Sequence, residues 1–263
     1  MAALLTVRWR SGWGPWGLLG LLLATGCGGF GPSALRPARP TSVEGLLGDI
    51  AQHRAALTSL RARVRLRSGL ARVWTRQAVL VQRPSAIRID VLSPFGLALA
   101  LGTEGHTLWA FPPQQGVRYE GPASPANIAR LLGTPLGVDD LVDVLLGVPP
   151  ARDAIAPPTL DRTGDVYVLT IVYRGGTQVV RFASDTLEMR EVDERRDGVA
   201  PIRVRFDDYE GGFARALDLA AEGGLSASIA FDEIEPNARI DAAAFLPPPA
   251  PRVLPLERVG APS

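Results

Sequence analysis

Residues 61–67, Arg-Ala-Arg-Val-Arg-Leu-Arg, alternate between arginine and apolar side chains. Successive side chains of a strand point to opposite faces, so this run predicts a strand with one wet and one apolar face. Further strand-like runs cover 73–82, 86–92, 97–103, 107–111 and 116–120. After a gap they resume at 165–173, 177–183, 187–194, 200–209, 213–220 and 225–232. Short turns of proline, glycine or polar residues join them, such as Arg174-Gly175-Gly176, which predicts antiparallel meanders.

The period becomes helical in three places. Thr41 or Ser42 can cap a first helix with Glu44 in its first turn. Leu46, Leu47, Ile50, Ala51, Leu57 and Leu60 form its apolar stripe. A second helix spans Pro125 to Leu132 and stops at Gly133. A third spans Val138 to Leu146, with Asp139 and Asp140 at its positive end. The expected fold is mainly β (α+β): one curved antiparallel sheet of about eleven or twelve strands, with helices over an open side. A barrel of that size can enclose a ligand cavity.

The ends read differently. Arg8 and Arg10 precede an apolar stretch from Trp13 to Ala24, which is shorter than the roughly 20 residues of a membrane span. Small residues follow, in Ala24-Thr25-Gly26-Cys27. Positive, apolar and small-residue segments in that order describe a secretory signal over residues 1–26. The small residues before Cys27 resemble the lipobox of bacterial lipoproteins. That resemblance implies a covalent diacylglycerol and an N-acyl group on Cys27, and no other cofactor. Cys27 is the one cysteine of the chain, so no internal disulfide can form. Residues 27–42 read as the lipidated cysteine and a flexible tether, 43–235 as the folded domain, and 236–263 as a proline-rich C-terminal tail.

Charge then narrows the partners. Removing residues 1–26 takes away two arginines and no acid, leaving 26 basic and 27 acidic side chains. Such a balance argues against nucleic acid. His53 and His106 lie in no metal-ligand spacing, and the sequence holds no nucleophile elbow, phosphate loop or dinucleotide fingerprint. No catalytic residue and no metal site is therefore assigned, and no enzyme is expected. One turn stands out. Ser93-Pro94-Phe95-Gly96 joins two strand runs and carries an aromatic near its tip, where polar residues are usual. Phe95 either meets a membrane or greasy partner, or folds back beneath the sheet.

Three features resemble the LolB-like outer-membrane lipoprotein receptors of the LolA/LolB lipoprotein-carrier superfamily. One is Arg88-Ile89-Asp90-Val91-Leu92-Ser93-Pro94-Phe95-Gly96, similar to that family's protruding loop. Another is Ile128 to Pro150, with Leu-Gly-Thr-Pro-Leu at 132–136 and Leu-Gly-Val-Pro at 146–149, similar to its paired helices. The last is the order of elements from residue 43 to about 235.

The resemblance implies an unclosed half-barrel with helices as a lid over an apolar cavity. That cavity would hold acyl chains of client lipoproteins, delivered by a periplasmic lipoprotein carrier. The loop at Pro94, Phe95 and Gly96 would promote insertion into outer-membrane lipid. The expected protein is a monomer, lipid-anchored in the outer membrane and facing the periplasm. Candidate lining residues are Val64, Leu66, Val79, Val81, Ile87, Ile89, Val91, Leu99 and Leu101 on strands, and Ile128, Leu131, Leu132, Leu141 and Leu145 on helices. A solid core would use the same residues. With a solid core, a tethered envelope assembly or sensing module is the alternative. A periplasmic hydrolase would need two or three polar groups converging in the pocket.

Overall fold

The alternating run becomes β1 (Ser59–Ser68) in the computed structural model, which describes residues 37–68, 74–132, 134, 136–222 and 226–258. Ala62 and Val64 are buried, while Arg61, Arg63, Arg65 and Arg67 face solvent, as the period of two requires. Five strands follow as a meander: β2 (Thr75–Gln82), β3 (Ala86–Ser93), β4 (Gly96–Glu104), β5 (Thr107–Phe111) and β6 (Val117–Pro122). A second meander holds β7 (Thr159–Thr163), β8 (Val166–Tyr173), β9 (Gly176–Ala183), β10 (Met189–Arg196), β11 (Val199–Glu210), β12 (Phe213–Ala221) and β13 (Ser226–Pro236). β13 returns to pair antiparallel with β1, which fuses the meanders. β14 (Arg252–Pro255) adds itself parallel to β6. The result is one fourteen-stranded sheet whose edges, β14 and β7, do not pair with each other: an unclosed half-barrel.

Two strands exceed the expected count. β7 and β14 are only five and four residues long, and most of their residues are exposed. Edge strands with little to bury carry no period-two signature, which is why the pattern of apolar residues does not mark them.

α1 (Val43–Ala56) is capped by Ser42, whose side chain accepts from the Gly45 amide at 3.1 Å. Its stripe is shorter than expected. Leu46 is fully buried, Leu47 and Ile50 are half-buried, and Ala51 is exposed. Leu57 forms the C-cap and Leu60 already belongs to β1. α2 (Pro125–Leu132) and α3 (Val138–Leu145) join the two meanders, and α3 packs on β2 and β3. Val142 and the capping Leu146 are sealed against the sheet's inner face. Fully burying such a side chain contributes roughly 1.5–3 kcal/mol.

Part of the outer face is covered as well. The segment expected as a proline-rich tail runs back along β3–β6. Arg88 and Arg118 donate to the carbonyls of Ala244 and Pro248 at 2.9 and 2.8 Å. The indole N–H of Trp109, fully buried between sheet and tail, donates to the Phe245 carbonyl at 3.2 Å. Gly102 leaves the space for that indole, since a Cβ there would lie 2.4 Å from the ring. The chain from Arg36 to Ser263 is one compact unit.

Candidate functional site

Between the concave face of the sheet and the helix pair lies a cavity of about 390 Å³, within the range of roughly 300–1,000 Å³ usual for ligand pockets. Its strand wall comes from inward positions: Val64 and Leu66 on β1, Val79 on β2, Ile89 and Val91 on β3, Leu99 and Leu101 on β4. Its helix wall comes from Leu131 and Leu132 on α2 and Leu141 and Leu145 on α3. These are eleven of the fourteen positions named from the sequence.

Val81, Ile87 and Ile128 do not border it. Ile87 and Ile128 lie on a narrow crevice of only about 20 Å³, too small for a ligand, and Val81 is fully buried. The reason is where α3 is pinned: the inner face near the β2–β3 turn is filled by the core, and open space remains toward the other end of these strands. The sequence reading also missed Leu219 on β12, Ala227 and Ile229 on β13, and the polar Gln77, Arg130 and Thr134 at the cavity. Inward alternation on β12 and β13 could have flagged the first three. Nothing in the sequence says that β13 closes onto β1 and so brings them there.

Two ion-pair knots fix α3. Asp143, only 4% exposed, accepts from Arg54 at 2.5 Å, from Arg83, and from the Ala151 amide at 3.1 Å. Arg83 also donates to the Leu57 carbonyl at 2.8 Å. In the second knot Arg152 grips both oxygens of Asp140, at 2.8 and 2.9 Å, and reaches Glu194 at 2.8 Å. Glu194 further accepts from the Tyr173 hydroxyl and from Gln178 at 3.0 Å. Burial, reinforced by Glu194, pushes the Tyr173 phenol up to about 12. Tyr209 is also raised, chiefly by burial. Every carboxylate in these knots is held by arginine, an arrangement that fastens helices rather than activating a nucleophile. Among the described residues no group of three or more His, Cys, Asp or Glu side chains converges as metal ligands do.

Near the cavity, β3 and β4 are joined by the two residues Pro94 and Phe95, with Ser93 paired to Gly96. Ser93 Oγ accepts from the Phe95 amide at 3.2 Å and donates to the Gly96 carbonyl at 2.9 Å. Gly96 takes φ +107°, a value that favours glycine. Phe95 is 95% exposed, so of its two placements the outward one holds. Cys27, the signal segment and most of the tether lie outside the described residues.

No protein-family model matches the chain, and no curated protein matches it. Solved structures do. A LolA superfamily protein from Nitrosomonas europaea aligns with a TM-score of 0.55 at 11% identity, over 79% of this chain and 99% of that one. A DUF1329 family protein from Desulfovibrio piger aligns with a TM-score of 0.52 at 12% identity, over 78% and 95%. The architecture is the open half-barrel of the LolA fold.

Proposed function

We propose that this chain is a LolB-like, lipid-anchored outer-membrane protein that takes up acyl chains of lipoproteins and helps insert them into the outer membrane. The observation that carries the reading is the apolar cavity beneath α2 and α3, set beside a hairpin whose tip is an exposed phenylalanine. An acyl chain in water is costly, at about 0.8 kcal/mol per methylene, and the cavity removes that cost during transit. Release follows when a bilayer offers the chain a larger apolar volume. Phe95 enters that bilayer and brings the cavity mouth to it. Cys27, acylated, holds the domain at the membrane facing the periplasm, and the remaining tether gives it reach. The likeness in fold to a LolA superfamily protein supports the reading. The client's acyl chains come from a periplasmic carrier, and no catalytic step is involved.

The test is a titration of the unit Arg36–Ser263 with a fluorescent triacylated peptide, with the unacylated peptide as control. Saturable binding that needs the acyl chains is expected. Equal binding, or none to either peptide, overturns the acyl-carrier reading and leaves a tethered envelope module of the same fold.

A further inference from the structure

The outer face of β1 carries a ladder of arginines that loses its acids toward one end. Arg61 pairs with Glu235 at 2.7 Å, Arg63 with Glu233 at 2.9 Å and Arg65 with Asp232 at 2.9 Å. The next outward residue, Arg67, lies opposite Ser228 on β13. On its other side β2 offers no acid either: Arg76 stands directly opposite Arg65. Like charges directly opposed across a sheet are destabilising. No carboxylate among the described residues lies within ion-pair reach of Arg67 or Arg76. Arg67 instead stacks over the ring of Trp74, 5.2 Å from its centroid, and Arg65 approaches the same ring at 5.8 Å. Trp74 is 42% exposed, an unusual place for the largest apolar side chain.

This cluster stands at a particular end of the sheet. Arg76 is in register with Leu92 on β3, itself 45% exposed, and Leu92 lies just before the Phe95 turn. Three of the eight large apolar side chains left exposed among the described residues, Trp74, Leu92 and Phe95, stand at this corner of the sheet. An exposed tryptophan, cations without acids and a protruding phenylalanine on one rim match a bilayer surface. The indole sits at headgroup depth, the guanidinium groups meet lipid phosphates, and the phenylalanine goes deeper.

We infer that Arg67, stacked on Trp74, and Arg76, opposite Arg65, form a headgroup-binding rim that docks this end of the half-barrel on a bilayer bearing anionic lipid. The inference rests on the proposed membrane role of the Phe95 turn and adds a charge requirement to it. Each arginine at an anionic surface strengthens binding by about five-fold, so removing both weakens it by about 30-fold. Because the interaction is electrostatic, salt weakens it.

The experiment is flotation of the unit Arg36–Ser263 with vesicles of phosphatidylcholine, with or without phosphatidylglycerol. The variants are Arg67→Gln/Arg76→Gln, Arg67→Lys/Arg76→Lys and Phe95→Glu, each checked for an unchanged thermal melt and for acylated-peptide binding. Expected are a preference for anionic vesicles that salt abolishes, its loss by about 30-fold in the double glutamine variant, and its retention in the lysine variant. Phe95→Glu weakens binding to both kinds of vesicle. Equal binding to both by the unaltered protein, or an undiminished anionic preference in the double glutamine variant, overturns the headgroup rim and leaves the insertion turn standing. Binding to neither, with acylated-peptide binding intact, overturns the rim and the membrane role of the turn, but not the acyl cavity.

Discussion

The carboxylate of Asp143 on α3 is bonded to the guanidinium of Arg83, which lies beyond the end of β2 and sixty residues earlier in the chain. This bond fastens one end of the helix lid to the sheet, and that of Arg54 ties the same end to α1. Removing one partner of a buried pair leaves uncompensated charge and costs about 3–5 kcal/mol. Asp143→Ala is therefore expected to lower the stability of the domain by about 3 kcal/mol, read from urea denaturation. A change below about 0.5 kcal/mol, the size of an ordinary surface substitution, would show that the knot does not hold α3.

Tyr173 gives a pH signature. Its phenol is raised in the folded state to about 12, so the folded protein favours the neutral form. The resulting stability is full below the unfolded value near 10 and is lost as pH rises through the folded value. Ultraviolet titration of phenolate is expected to show Tyr173 and Tyr209 ionising above the ordinary tyrosine value, together with a decline in thermal stability from about pH 10 to 12. Tyr173→Phe removes the hydroxyl from Glu194 and abolishes Tyr173's share of that decline. Ionisation of Tyr173 at the ordinary value near pH 10 would contradict this.

The cavity can be filled without disturbing the knots. Ala227 borders it from β13 and is half-buried. Ala227→Phe takes the room of two or three methylenes, each contributing about 0.8 kcal/mol, so affinity for an acylated peptide is expected to fall by about 30-fold. The fold should survive, because the new ring enters open space rather than a packed region. Unchanged affinity in a folded variant would place the acyl chains elsewhere.

Gly102 tests whether the C-terminal segment is structural. Gly102→Ala sets a methyl 2.4 Å from the Trp109 ring and 3.0 Å from the Ile87 carbonyl, so the indole must move and the segment over it must lift. The expected cost is about 1–3 kcal/mol, with the tryptophan emission shifted to the red and cleavage by protease between residues 240 and 258. In the unit Arg36–Ser263 only Trp74 and Trp109 contribute to that emission. An unchanged spectrum would mean that the segment does not depend on this packing.

Much of the site follows from alternation alone. A strand that must bury one face writes that need into every second residue, so Val64, Leu66, Val79, Ile89, Val91, Leu99 and Leu101 are legible as inward positions before any fold is known. The helix wall is legible for the same reason at a longer period. Inward, however, is not the same as cavity. Val81 and Ile87 share that alternation and end in solid packing, because Arg83, which clamps Asp143, draws α3 onto its end of the sheet.

The sequence by itself determined the strand alternation, the three helices, the arginine-rich outer face and the aromatic in the β3–β4 turn. Each is local, since a run of residues records which of its own faces meets water. Only the tertiary structure decided that β13 closes onto β1, that the proline-rich segment seals Trp109 and adds an edge strand, and that space remains beneath α2 and α3. It also decided that Phe95 points outward and that Arg76 faces Arg65. These depend on contacts between residues far apart in the chain. Burial and charge pairing are properties of what arrives opposite a side chain, which its own neighbours in sequence do not record.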